Sequence, residues 1–291
     1  MIFSQKDRQP VPVSEVYVML SQESSFIIRK MVSELQVRNK GCKLRCPIRW
    51  DDISLVVERA VEKGVHHVLL PSVNLASVDG VLELSRQYKR FFYPMIGLHP
   101  EEVKADWREQ LRLIREKDCP EFVAIGEVGL DFYWSREFEN EQIEAFREQV
   151  EWAVETKRPL MIHCRKAQNE MVAVLNDYRD RLCGGVFHCF TGNAREAEQL
   201  LQFPDFMLGI GGVLTFKSSR LAEMLPTVVP LLRIVLETDA LYMAPEPMRG
   251  QRNESAYVRY VLKRLAESYG LSEEKASQII YENTTRLFYL Y

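Results

Sequence analysis

Glu127, His163, His188 and Asp239 each stand at or just past the end of a short apolar run that reads as a buried strand. Phe122-Val123-Ala124-Ile125 and Gly126 precede Glu127, and Pro159 to Ile162 precedes His163. Gly185 to Phe187 precedes His188, and Arg233 to Leu236 runs into Glu237-Thr238-Asp239. Two imidazoles and a carboxylate suit Zn, Mn or a similar divalent ion, whereas Mg prefers more oxygen ligands. The second carboxylate, Asp239, either holds another ion or serves as a general base. Two ions roughly 4 Å apart activate water and neutralise charge on a phosphodiester. Taken singly, each histidine is as easily a hydrogen-bonded core residue. Their recurrence at strand ends, with carboxylates at two others, is what points to a metal site.

Around this set lie groups suited to a phosphate. His99, in Gly97-Leu98-His99-Pro100, also ends a strand and can reach a phosphate oxygen. Arg165 beside His163, Lys217, and Arg249 with Arg252 add local positive charge. His66 and His67 begin a strand, at the opposite end from the ligands, and read as structural. No Ser or Cys has visible triad partners. Cys164 and Cys189 follow ligand-type histidines, and strand alternation points both into packing.

The elements that must position these residues alternate regularly from Trp50 onward. Asp51 or Asp52 can cap a helix whose apolar positions Ile53, Val56, Val57, Ala60 and Val61 share one face. Strands are predicted at 65–70, 91–96, 122–125, 159–162, 185–187, 206–210 and 233–236. Helices are predicted near 78–88, 107–117, 138–156, 167–178, 194–202, 219–224, 255–268 and 273–281. Strands alternating with helices imply a parallel sheet. A closed (β/α)8 barrel of the TIM type typically takes about 250 residues. Seven strands leave the first to be found in residues 1–50, where Val16 to Leu20 is a candidate. An open doubly wound sheet is the alternative. Against it, ligand-type residues end at least four strands, and a barrel gathers all its strand C-termini at one mouth.

Composition bounds the partners. The chain has 291 residues, 46% of them hydrophobic and 27% charged, with a net charge of −3. That balance excludes a whole-surface electrostatic grip on nucleic acid. Residues 1–50 carry nine Lys/Arg against four Asp/Glu and no histidine, whereas the remainder carries 29 against 37. No apolar stretch approaches the roughly 20 residues that span a bilayer, and Met1 to Pro12 lacks the plan of a secretory signal. A cytoplasmic monomer with no membrane partner is expected. The six cysteines show no C-x-x-C spacing and read as reduced thiols.

Six stretches together resemble the TatD family of metal-dependent deoxyribonucleases, within the amidohydrolase-like barrels. They are G-L-H-P (97–100), I-G-E-V-G-L-D-F-Y (125–133), P-L-M-I-H-C-R (159–165), F-H-C-F-T-G (187–192), L-E-T-D-A (236–240) and R-G-Q-R-N-E (249–254). The resemblance covers about residues 51–291. It implies a (β/α)8 barrel and metal-assisted hydrolysis of DNA or another phosphodiester, often 3′-to-5′. It also implies up to two divalent ions (Mg, Mn or Zn), with Glu127 shared between them. His163 and His188 would complete one ion, while Asp239 would serve the other and help activate water. Asn253, in the last stretch, joins His99, Arg165 and Arg249 as a substrate contact.

One part of the pattern is absent. The family opens on a strand ending in Asp-Thr-His-x-His-Leu, and no His-x-His occurs in residues 1–65. Residues 1–50 therefore stand apart as an atypical segment from the hydrolase barrel over 51–291. Three readings stay open: a misread N-terminus, a divergent replacement strand with Glu23 as an oxygen ligand, or a degenerate relative that binds one ion and works slowly or not at all. Without the first site, weak or absent nuclease activity is expected. Rival functions are a metal-dependent amide or ester hydrolase, such as one acting on aminoacyl-tRNA, and a non-catalytic metal- or DNA-binding protein.

Overall fold

The computed structural model describes residues 53–240 and 242–290. The expected replacement strand at 16–20, Glu23 and the Asp51/Asp52 cap lie outside these residues. Helix α1 spans Ile53–Glu62, and the units that follow are β1 Val68–Pro71, α2 Leu75–Gln87, β2 Phe92–Ile96 and α3 Trp107–Glu116. Next come β3 Ala124–Asp131, α4 Glu139–Thr156, β4 Leu160–Arg165, α5 Gln168–Asn176, β5 Gly185–Phe187 and α6 Ala194–Leu200. The chain continues through β6 Phe206–Ile210, α7 Leu221–Val228, β7 Ile234–Leu236, α8 Val258–Tyr269 and α9 Glu273–Phe288.

All seven strands lie in one sheet in sequential order, and every neighbouring pair is parallel. An open doubly wound sheet would reverse its strand order at a switch point; this sheet has no such point. The sheet curls as a (β/α)8 barrel does. Helix α1, at its start, packs on the segment after β7, where Arg59 donates through Nε and Nη2 to the Glu254 carboxylate at 2.9 and 2.6 Å.

Alternation along each strand builds two cores. Leu69, Met95, Ala124, Met161, Val186, Met207 and Val235, one from each strand, form an inner apolar cluster with Leu287 and Phe288 of α9. Their neighbours, including Leu70, Ile96, Ile125, Ile162, Leu208 and Leu236, face the helices. The expected helix at 273–281 is seven residues too short at its C-terminal end. Ile280, Thr284 and Phe288 continue one buried face, so α9 runs on until Phe288 reaches the inner cluster. No helix among the described residues is long and apolar enough to cross a membrane.

Met161 sits fully buried in the inner layer, one turn of the strand below His163. Met161→Ala should therefore cost about 2–5 kcal/mol. Urea unfolding should show a lower midpoint with the slope unchanged.

Candidate metal centre

The sheet's inner face carries the chemistry two residues beyond its apolar layer. His163 follows Met161, His188 follows Val186, and Glu237 follows Val235, each on the same side of its strand. Strand β3 reaches this face differently. The expected strand stopped before Glu127; the observed one continues to Asp131. Ile125 pairs with Leu160 but Val128 pairs with Ile162, so β3 advances three residues for two on β4. This bulge reverses the phase of alternation. Ala124 faces inward before it, and Glu127 and Asp131 face inward after it, while Val128 and Leu130 join the outer core. Gly129 permits the close approach of β4: it has φ +140°, and a Cβ there would lie 1.9 Å from the His163 carbonyl oxygen.

Glu127 is the hub. Its carboxylate is fully buried, and Oε1 lies 3.0 Å from His163 Nδ1, 3.5 Å from His99 Nε2 and 3.8 Å from His188 Nε2. Burial alone would raise its pKa, but the charges of His188 and His99 and the His163 hydrogen bond hold it well below the usual carboxylate range. His99, expected at the rim as a phosphate contact, is buried inside the cluster. Its ring meets His163 edge-to-face at 4.7 Å, and its Nδ1 accepts from the Glu101 backbone at 3.2 Å.

Two carboxylates that sequence reasoning passed over position the imidazoles. Asp131 accepts from His163 Nε2 at 2.9 Å, and Glu237 accepts from His188 Nδ1 at 2.9 Å. Glu237 leaves the second nitrogen of His188 facing Glu127 and Asp239, the usual arrangement by which a carboxylate orients a ligand imidazole. The signals were present as Leu-Asp at 130–131 and Leu-Glu-Thr-Asp at 236–239. Period-2 alternation without the bulge turns Asp131 outward, and Glu237 lies two residues before Asp239, within the same strand-end stretch. Gly209 makes room for Glu237, because a Cβ there would lie 2.2 Å from Oε2.

Asp239 stands at the edge of the cluster, Oδ1 3.9 Å from His188 Nε2, with backbone φ +49°. Burial pushes its pKa up to about 6, reinforced by Glu127 and Glu237 and opposed by His188. Cys189 departs from expectation. Its φ of +50° turns it out of strand alternation, and its sulfur lies within 4.8 Å of ligand atoms of His188 and Glu237. Cys164 packs against the outer core as expected, and all four described cysteines are free thiols.

The cationic residues fall into two places. The Arg165 guanidinium lies over the Tyr133 ring at 3.7 Å, and that of Arg249 over Phe216 at 4.1 Å. Neither forms an ion pair with a carboxylate among the described residues. Asn253, expected to touch substrate, is fully buried instead. Its amide donates to the carbonyls of Thr238 and Tyr242, which fastens the segment carrying Asp239. His67 bonds the Arg90 carbonyl and the Tyr281 hydroxyl, as a structural residue would.

The donor set fits divalent metal. His99, Glu127 and His163 bring ligand atoms within 4.8 Å of one another, and so do His188, Cys189 and Glu237. Buried Oε2 of Glu127 and Oε1 of Glu237 have no hydrogen-bond partner among the described residues. Buried carboxylate oxygens without a donor are costly, and a cation would satisfy them.

This curled parallel sheet with imidazoles and carboxylates at its strand ends has the donors of a metal-binding barrel protein. A profile of the TatD related DNase family matches residues 46–289, and the chain belongs to that family. It is 35% identical over 238 residues to the uncharacterized metal-dependent hydrolase YabD of Bacillus subtilis, covering 81% of this chain and 92% of that protein. It is 34% identical over 249 residues to the 3′-5′ ssDNA/RNA exonuclease TatD of Pantoea vagans, covering 82% and 94%. The crystal structure of YJJV, a TatD homolog from Escherichia coli K12, superposes with a TM-score of 0.75 at 28% identity, covering 84% and 94%.

Two outcomes are expected of metal binding. Burial disfavours the charged form of both imidazoles, but bonds to Asp131 and Glu127 lift His163 to about 10 and the charges of Glu237 and Glu127 lift His188 to about 9. Both therefore carry a proton at neutral pH that metal must displace. Apparent affinity for Zn or Mn should fall as pH is lowered through the neutral range, and titration calorimetry in buffers of different ionisation heat should register proton release. Glu237→Ala, which frees His188 to rotate, should weaken metal affinity about 10–100-fold.

Proposed function

We propose that this chain hydrolyses phosphodiester bonds in single-stranded nucleic acid, removing nucleotides from a 3′ end with divalent metal (Mg, Mn or Zn) in the centre. The observation that carries this reading is the buried Glu127 carboxylate ringed by His99, His163 and His188, with Asp239 beside it. Membership of the TatD related DNase family supports it, as does the resemblance to a named 3′-5′ exonuclease. The protein is taken to work as a cytoplasmic monomer.

Each residue has a share of the reaction. Glu127, His163, His188 and His99 would hold the metal, with Asp131 fixing the imidazole of His163 and Glu237 that of His188. When bound, divalent ions at such a centre polarise the phosphoryl group and lower the pKa of a coordinated water. Asp239 accepts the proton of the attacking water. Its place at the edge of the cluster, with Oδ1 3.9 Å from His188 Nε2, suits a base acting at the centre. Arg165 and Arg249 offer planar donor forks to the phosphate oxygens, and their aromatic supports keep the forks extended.

Nucleotide release from a 5′-labelled single strand, assayed with Mg, Mn or Zn, tests the reading. The wild-type chain should shorten the strand stepwise. Asp239→Asn should lower kcat about 10²–10⁴-fold while metal content stays within about twofold of wild type. Release of an amino acid from an aminoacyl ester, without nucleotide release, would sink the proposal.

A further inference from the structure

Trp134 stands out from the rest of the surface. It is 70% exposed, the most exposed of the large hydrophobic side chains, and it lies three residues past Asp131. The loop that carries it is not loose. The Tyr133 amide donates to Asp131 Oδ1 at 2.9 Å, and Gln142 of α4 clamps the Asp131 backbone from both sides. Asp131 in turn holds His163. The loop's first turn is thus tied directly to a residue of the metal centre.

Trp134 forms one wall of a cavity of about 280 Å³. Asp131, Val103, Phe138 and Lys104 line the rest, and the Lys104 ammonium lies 5.6 Å from the centre of the Phe138 ring. The Trp134 ring also neighbours the Arg165 guanidinium, 5.2 Å away, and packs edge-to-face on Tyr133 at 4.9 Å. An exposed indole costs free energy in water unless a ligand covers it. The cavity has room for one flat ring system. It offers an aromatic face, a second ring, a cation, and Glu137 as an acceptor for ring N–H groups.

From this juxtaposition we infer that Trp134 and the cavity behind it take one unpaired nucleobase of the substrate strand, next to the phosphate held by Arg165. The inference deepens the nuclease reading and rests on it for the class of ligand. Stacking on an indole discriminates little among bases, because every base has a π face. It does discriminate single strands from duplex, whose bases are already stacked and paired. Arg165 serves both neighbours: its face rests on Tyr133, and its edge remains available to phosphate.

Binding without turnover tests this separately from catalysis. Fluorescence anisotropy in EDTA would compare labelled pentathymidylate with an abasic pentamer of the same charge, using the full chain. Trp134→Ala should weaken pentathymidylate binding about tenfold or more and change abasic binding less than about twofold. Trp134→Phe should retain most of the affinity. Equal loss for both oligomers, no loss for either, or failure of the wild-type chain to prefer pentathymidylate would overturn the inference. Preserved pentathymidylate preference without nucleotide release under metal would instead remove the catalytic reading and leave the base site standing.

Discussion

A carboxylate with no access to water, facing three imidazoles, is the interaction on which this molecule's organisation depends. An isolated ionised group at such depth would be too costly to keep charged. Glu127 stays ionised because His99, His163 and His188 converge on one of its oxygens. Those three residues come from three different strand ends, so the charge is sustained only if β2, β4 and β5 are correctly seated beside β3. Stability of the sheet and assembly of the site are therefore linked through the same side chain.

The apolar layer beneath the centre makes that seating possible. Seven inward side chains, one per strand, are covered from the far side by the end of α9. This packing excludes water from below and leaves the strand C-terminal ends to face the solvent mouth. Low dielectric below and a polar mouth above account for the opposite fates of the two principal carboxylates. Glu127, deep and in contact with the imidazoles of His163 and His188, is held well below the normal range. Asp239, largely desolvated at the cluster's edge and beside other carboxylates, is raised to about 6. Divergent environments for paired titratable groups are how one site assigns a ligand and a base.

Around the centre, aromatic rings support the cations that would otherwise seek acidic partners. Arg165 rests on Tyr133 and Arg249 on Phe216. Elsewhere, arginines such as Arg108, Arg147 and Arg158 are paired with carboxylates. The contrast leaves these two guanidiniums without a carboxylate partner among the described residues, in a chain whose net charge is −3.

Much of this was legible in the amino-acid sequence. Apolar runs separated by helical periodicity specified seven parallel strands, and His163, His188, Glu127 and Asp239 were identifiable because each closes such a run. Those signals are local: hydrophobic period and strand termination are written within a few residues. Asp131, Glu237 and the cluster role of His99 were not legible, nor was the burial of Asn253. The β3 bulge changes which side of the strand Asp131 occupies, and the lean of Glu237 across Gly209 depends on a residue 28 positions away in the chain. Positive φ at Cys189 and Asp239 likewise breaks the alternation that sequence reasoning must assume. The sequence alone therefore determined which strands end in reactive groups. Only the tertiary structure decided which nitrogens and oxygens face one another, because that depends on register between strands distant along the chain.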